Sequence, residues 1–434
     1  MAHRAGKQGV TRRQMLVGLG VAAATGVHAK ARPAAPAVAR AKTKLIYSNY
    51  EQKQTGVIAG LSNYWDLAKE AFEQKYPDIE IVQVSVPSSE YWNKLFTEIT
   101  TGNAADLYKD RLSEVVQFAR MGLLSPLDEL CNVKDINVNF EDIQKTQIVD
   151  GKTYGVAYQG GSHQLVYNKN LLAKGGFKVP TTPDEAYDTA KKLTKPGEQW
   201  GFVVVTPSVP QLYIDVTQWV VGYGSHWGVD GKPAATADAT VASMEMYKKI
   251  VTEGITPVGV PKPQTREMFV AGKIAMMIEG PWFFADPKIT PERLAFMGTA
   301  TLPWENKRSV GSASAFIIPK AAKNKEAAGK FIDFCCSMEW QIKFLEVAVL
   351  PGNRKGAFPK SFIDKHPFMS AYAEGASKAV DSCPPGFEDV FKQLQKYVID
   401  AAGEFMFKNV PVRKALEGVQ ASLEKELEGL KKKS

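Results

Sequence analysis

Cysteine and histidine are scarce in this sequence, and no apolar run is long enough for a permanent membrane span. The 434 residues hold 4 cysteines and 5 histidines. Cys131, Cys335, Cys336 and Cys383 show neither CxxC nor Cys/His spacing, so no zinc site, metal or other cofactor is expected. Cys335 and Cys336 fall in the apolar helical pattern AAGKFIDFCC and read as buried thiols. A disulfide stays open in an oxidising compartment, with no pairing singled out. G-x-S-x-G, H-E-x-x-H, G-x-x-x-x-G-K-[ST] and a strand-borne G-x-G-x-x-G are all missing, which removes the commonest hydrolase, metalloprotease and nucleotide-binding signatures. Tandem repeats are missing too.

Charge of one sign is in excess, but only locally. The formal net charge is +8. Arg4, Lys7, Arg12, Arg13 and Lys30 carry five of these charges within the first 31 residues, which hold no acid, leaving +3 for the remainder. No nucleic-acid partner is expected from so dilute a surplus. Thr11-Arg12-Arg13-Gln14-Met15-Leu16 opens a weakly apolar stretch to Val27, and Val27-His28-Ala29 and Ala29-Lys30-Ala31 supply small-residue exits. Residues 1–31 therefore read as a secretory signal, cleaved after Ala29 or Ala31, and the paired arginines make it resemble the twin-arginine type. No cysteine follows the apolar middle, so a lipoprotein anchor is not expected. Residues 32–42, rich in Ala and Pro, read as a disordered lead-in to an exported, periplasmic monomer.

The rest is long enough for two cores, being 44% hydrophobic and 23% charged over the full chain. Lys44 to Asn49 predicts a first strand. Leu61, Trp65, Ala68 and Phe72 predict a helix ending before Pro77. Ile79 to Val86 predicts the next strand, and Trp92, Leu95, Phe96 and Ile99 the next helix. Ser113 is placed to cap a helix ending at Gly122, and Thr182-Pro183-Asp184-Glu185 forms a capping box with Pro at the first helical position. Trp219 reads as helix core. Strands alternating with helices imply α/β sheets covered on both faces.

Several segments occur in an order typical of one family. They are Gly122-Leu123-Leu124-Ser125-Pro126-Leu127, Asp150-Gly151-Lys152-Thr153-Tyr154-Gly155, Leu165-Val166-Tyr167-Asn168-Lys169, Ile278-Glu279-Gly280-Pro281-Trp282, Ser312-Ala313-Ser314-Ala315-Phe316 and Leu350-Pro351-Gly352-Asn353-Arg354. From Lys44 to about Leu427 the chain resembles family 1 extracellular solute-binding proteins, the maltose-binding-protein group. The resemblance implies a two-lobed periplasmic binding protein of parallel and mixed sheets flanked by helices, with its ligand cleft between the lobes. The first lobe is expected from 43–157 plus 312–350 and the second from 158–311 plus 351–434. It also implies a sugar, oligosaccharide or polyol ligand, delivered to the permease subunits of an ABC importer in the inner membrane, and no catalysis.

A sugar needs aromatic plates for its C–H faces and polar side chains for its hydroxyls. Trp282 is the first candidate plate, because a tryptophan at a strand end beside Gly-Pro points into an opening; in similar proteins the tryptophan of this motif stacks on sugar. Glu279 precedes it. Asn49 and Glu51 follow the first strand, where the matching family loop makes polar contacts. Asp110 and Arg111 follow Ala105-Asp106-Leu107, in which Ala105 replaces the family's usual proline; mutual pairing is their rival role. His163 follows two glycines that let backbone approach a ligand closely. Trp227, in a Gly-rich loop, is a candidate second plate. Ser312 and Arg354 flank the other two lobe crossings, and Phe391 opens a late helix where similar proteins carry an aromatic plate. The competing reading is a secreted carbohydrate-active hydrolase built on paired carboxylates.

The export reading is directly testable. Arg12→Lys with Arg13→Lys is expected to leave unprocessed precursor in the cytoplasm. Normal periplasmic mature protein on fractionation would instead favour the general secretory route.

Overall fold

The computed structural model describes residues 41–51, 59–286, 288–311 and 313–432. The expected signal segment, nearly all of the lead-in and Ser312 lie outside these described residues. In chain order, the strands that matter here are β1 (Thr43–Asn49), β2 (Ile79–Ser85), β3 (Leu107–Arg111), β4 (Gly155–Gln159), β5 (Gln164–Asn168), β6 (Trp200–Val203), β7 (Ile274–Glu279), β8 (Met297–Ala300) and β9 (Ser314–Ile317).

They form two separate sheets. The first runs β2-β1-β3-β9-β4 and the second β8-β5-β7-β6. β1 is parallel to β2 and β3, while β9 returns antiparallel between β3 and β4. β7 is parallel to β6 and antiparallel to β5. Each sheet supports a lobe, because a strand buried on both faces needs helices on both sides. All six residues of β7 are buried.

The apolar stripe Leu61, Trp65, Ala68 and Phe72 is buried on the helix Ala59–Lys75. It packs with Tyr47, Phe316 and Phe331 into the first core, where Trp65 meets Tyr47 edge to face at 5.1 Å. At Thr182 the hydroxyl accepts the Glu185 N–H at 3.2 Å. The Glu185 carboxylate reaches back to the Thr181 N–H at 2.8 Å, one residue earlier than a standard capping box. Ser113 is not a cap. β3 runs straight into the helix Leu112–Arg120, so extended Arg111 takes the cap position and Ser113 falls inside the first turn. All four cysteines are free thiols, and Cys335 and Cys336 are buried.

The chain passes between the lobes where backbone meets backbone. Gln159 bridges Gly352, and Ser162 bridges Gly311. The Gly160 N–H donates to Pro351 O at 2.9 Å, and the Gly311 N–H to Val380 O at 2.7 Å. Just past Pro351, Glu141 N donates to Asn353 O and Lys355 N to Asn139 O, each at 2.8 Å. Farther out, Arg120 of the first lobe lies 3.5 Å from Glu388 and 3.2 Å from Asp389 of the second, and the Lys392 ammonium sits 4.2 Å over the Phe96 ring.

Candidate functional site

β3 ends at Arg111, β9 begins opposite it at Ser314, and β7 ends at Glu279 opposite Gln164. These strand ends face each other across a cavity of about 320 Å³. Such an opening, beyond strand ends and between lobes, is where α/β folds hold small ligands. Arg111, Ser113 and Ala313 line it from the first lobe; His163, Glu279 and Trp282 line it from the second.

Glu279 is 1% exposed. Arg266 Nε donates to its Oε2 at 2.8 Å and Nη2 to Oε1 at 3.0 Å, forming a two-pronged pair. Oε1 also accepts the Gly280 N–H at 3.0 Å and the Trp282 indole N–H at 3.1 Å. Lys262 Nζ stands 3.7 Å from Oε2. Burial opposes the charge, but the Arg266 and Lys262 cations and the hydrogen bonds outweigh it, holding this carboxyl well below the usual range.

His163 packs edge to face on Trp282, with centroids 5.2 Å apart. Its Nδ1 lies 2.8 Å from Val310 O. A carbonyl only accepts, so Nδ1 carries the proton and Nε2 is left as an acceptor. Burial pushes this imidazole down to about 4, so it is neutral at pH 7. Arg111 stacks over Trp92 at 3.9 Å and reaches Glu114 at 3.3 Å.

Other sequence candidates sit elsewhere. Trp227 is 0% exposed, with its indole N–H donated to Thr217 Oγ1 at 2.8 Å. It is core of the second lobe, because a loop glycine does not prevent the next indole from turning inward. Phe391, 7% exposed, packs edge to face on Tyr213 in the same core. Glu51 is fully buried against Lys109 and the Trp65 indole. Asn49 accepts from Ser85 Oγ at 2.6 Å and from the Glu51 N–H at 3.0 Å. Asp110 is buried at the end of β3 and accepts the Arg111 N–H at 2.7 Å. Burial and the nearby Glu114 charge raise its carboxyl. Arg354 makes a two-pronged pair with Asp135, at 2.6 and 3.0 Å, and lines a different recess beside Gly160 and Gly352. None of these five, nor Trp227, lines the cavity between the strand ends.

Sequence reasoning missed Gln211, Asp215, Gln218, Lys262, Arg266 and Asp381, which all line it. For three of them a signal existed. Gln211, Asp215 and Gln218 recur at i, i+4 and i+7 along the helix Pro210–Gly222, putting a polar stripe on a largely buried helix. Asp215 accepts from Val205 N at 2.9 Å and from Tyr247 OH at 2.8 Å, and burial raises its carboxyl. The Gln218 amide clamps the Val310 backbone, accepting its N–H at 2.7 Å.

A model of the bacterial extracellular solute-binding protein family matches residues 56–342, and the chain belongs to this family. A putative binding protein of Brucella abortus is 27% identical over 338 residues, 75% of this chain and 82% of that protein. The maltotriose-binding protein of Pyrococcus abyssi is 23% identical over 386 residues, 81% of this chain and 80% of its own length. An ABC transporter solute-binding protein of Thermotoga lettingae, solved with α-D-tagatose, shares the fold with a TM-score of 0.78 at 22% identity, over 89% of this chain and 100% of that one. No helix among the described residues is long and apolar enough to cross a membrane.

Two buried histidines, His163 in the cavity wall and His226 behind it, give the fold an acid signature. His226, like His163, is pushed down to about 4 by burial, and its Nε2 donates to Asp381 O at 3.0 Å. Both are neutral in the fold and take a proton more readily once unfolded. Their contribution is complete above about pH 6.5 and is lost as pH falls through about 4. Asp381, pushed up to about 6 by burial, works oppositely: its contribution is present at low pH and lost as pH rises through 6. NMR titration of the two imidazoles is expected to give midpoints near 4. Denaturation at pH 7 and 4.5 should show His163→Asn with His226→Gln losing less stability on acidification than the wild type.

Proposed function

We propose that this chain is the solute receptor of an ABC importer, binding one neutral sugar, oligosaccharide or polyol in the cavity between its lobes and handing it to the membrane permease unchanged. The observation that carries this reading is the pairing of Trp282, a half-buried indole at the cavity wall, with polar groups whose charges are largely compensated. Arg266 is matched by Glu279 and Arg111 by Glu114. The Lys262 charge acts on both Glu279 and Asp215. A wall of matched charges offers many directed hydrogen bonds and little net field, which suits hydroxyls better than an ionised ligand. A relative named for maltotriose binding and a structure solved with α-D-tagatose support a carbohydrate.

In this reading a twin-arginine signal exports the chain to the periplasm, where it works as a soluble monomer without a lipid anchor. The lobes, 43–157 plus 312–350 and 158–311 plus 351–434, close about the adjacent passages near Tyr158, Gly311 and Pro351.

Calorimetry of the mature chain with maltotriose, maltose and D-tagatose should give a stoichiometry near one for the sugar that binds, and that sugar should be recovered intact. Cleaved sugar would promote the hydrolase reading instead. Trp282→Ala removes the plate and is expected to cost roughly 2–3 kcal/mol of binding, about 30- to 150-fold in affinity. A collapsed melting temperature beside an unchanged dissociation constant would remove Trp282 from the site.

A further inference from the structure

Glu279 lines the cavity, yet its carboxylate has little left to offer a ligand. A carboxylate has about four lone-pair sites. Oε1 already takes three donors, from Arg266, Gly280 and Trp282, and Oε2 takes Arg266 with Lys262 alongside. The backbone of Glu279 is held as well, its carbonyl accepting Tyr372 OH at 3.1 Å. Lys262 is tied to the same strand through Ile278 O at 2.8 Å.

We propose that Glu279 is a positioning residue that acts through Trp282, fixing the plane of the indole that the ligand meets. Three constraints converge on that ring. The indole N–H is held by a buried carboxylate, the His163 ring stands nearly perpendicular against the indole, and the indole ring packs against the first-lobe core although its chain belongs to the second lobe. Without the carboxylate, the 3-10 turn Pro281–Ala285 still places Trp282 at the cavity, but nothing polar sets its rotation. Arg266, meanwhile, would lose both of its hydrogen bonds to Glu279. A preset plate removes the cost of ordering a large side chain at the moment of binding. This inference rests on the cavity being the sugar site.

The test separates the two ideas. In the mature chain labelled with 15N-tryptophan, Trp282→Phe identifies the Trp282 indole signal among those of the 8 tryptophans. In the wild type that N–H should resonate downfield and exchange slowly with solvent. In Glu279→Gln it should move upfield and exchange faster, while the other indole signals stay in place. Rapid wild-type exchange, or a signal unmoved by Glu279→Gln, would overturn the proposal; the wild-type exchange rate decides even if the variant does not fold. Calorimetry with maltotriose, maltose and D-tagatose supplies the binding arm. Glu279→Gln should weaken binding about tenfold in the wild type, in line with loss of a charge-assisted hydrogen bond, and less than about twofold in the Trp282→Phe background. Equal losses in both backgrounds would overturn the positioning role and leave the cavity reading intact. Unchanged sugar binding in Trp282→Ala would overturn the cavity reading, and the indole signal would then decide the link to Glu279 by itself.

Discussion

Everything in this molecule depends on getting the backbone across from one sheet to the other without stranding its polar groups. A peptide unit that leaves a ladder and enters a buried junction still needs a partner. The solution is to run the passages side by side, so that Ser162 pairs with Gly311, Gln159 with Gly352, and Gly160 with Pro351. Two glycines there, Gly160 and Gly352, sit where a side chain would crowd its neighbours. A Cβ on Gly160 would lie 2.1 Å from the Asn353 amide oxygen, and one on Gly352 the same distance from that of Gln341. The junction brings strand ends from both sheets to one place, and the cavity is the space they leave. It also leaves the lobes joined by few covalent paths, the condition for a hinge. The outer contacts, Arg120 with Glu388 and Asp389 and Lys392 over Phe96, lie near the surface, where each is worth little.

The cavity itself is organised around buried charge. A carboxylate removed from water is tolerated only if its partners are close and well directed, and Glu279 has Arg266 in two-pronged geometry with Lys262 beside it. The arrangement orders its surroundings: a cation on a helix, a strand end and an indole on a short turn share one anion. His163 extends this order to the passage at Val310, and Gln218 clamps the same backbone from the other side. The wall of the cavity and the junction between lobes are thus in direct contact, through the ring packing of His163 on Trp282 and the bond from His163 to Val310.

Much of this was legible in the residues alone. Periodicity located the helix Ala59–Lys75 and the strands around it, because apolar spacing reports which face is buried whatever the tertiary context. Motif order pointed to Arg111, His163, Glu279 and Trp282, and the fold brings all four to one cavity. Trp227 and Phe391 were misread because an aromatic beside a glycine or at a helix start has the same local pattern whether it faces solvent or core. Only the partner decides, and Thr217 and Tyr213 are distant enough in sequence to leave no local trace. Lys262 and Arg266 were illegible for the same reason, since their counter-ion lies on another element. The polar stripe Gln211, Asp215 and Gln218 was readable, as three amide and acid groups on one face of an apolar helix require a polar neighbour.

The central claim is that the lobes close on a small polyhydroxy ligand held between them. Small-angle scattering of the mature chain, with and without a saturating sugar that binds it by calorimetry, tests this most directly. A smaller radius of gyration with sugar bound is the result this account predicts. Superimposable curves at saturation would contradict it.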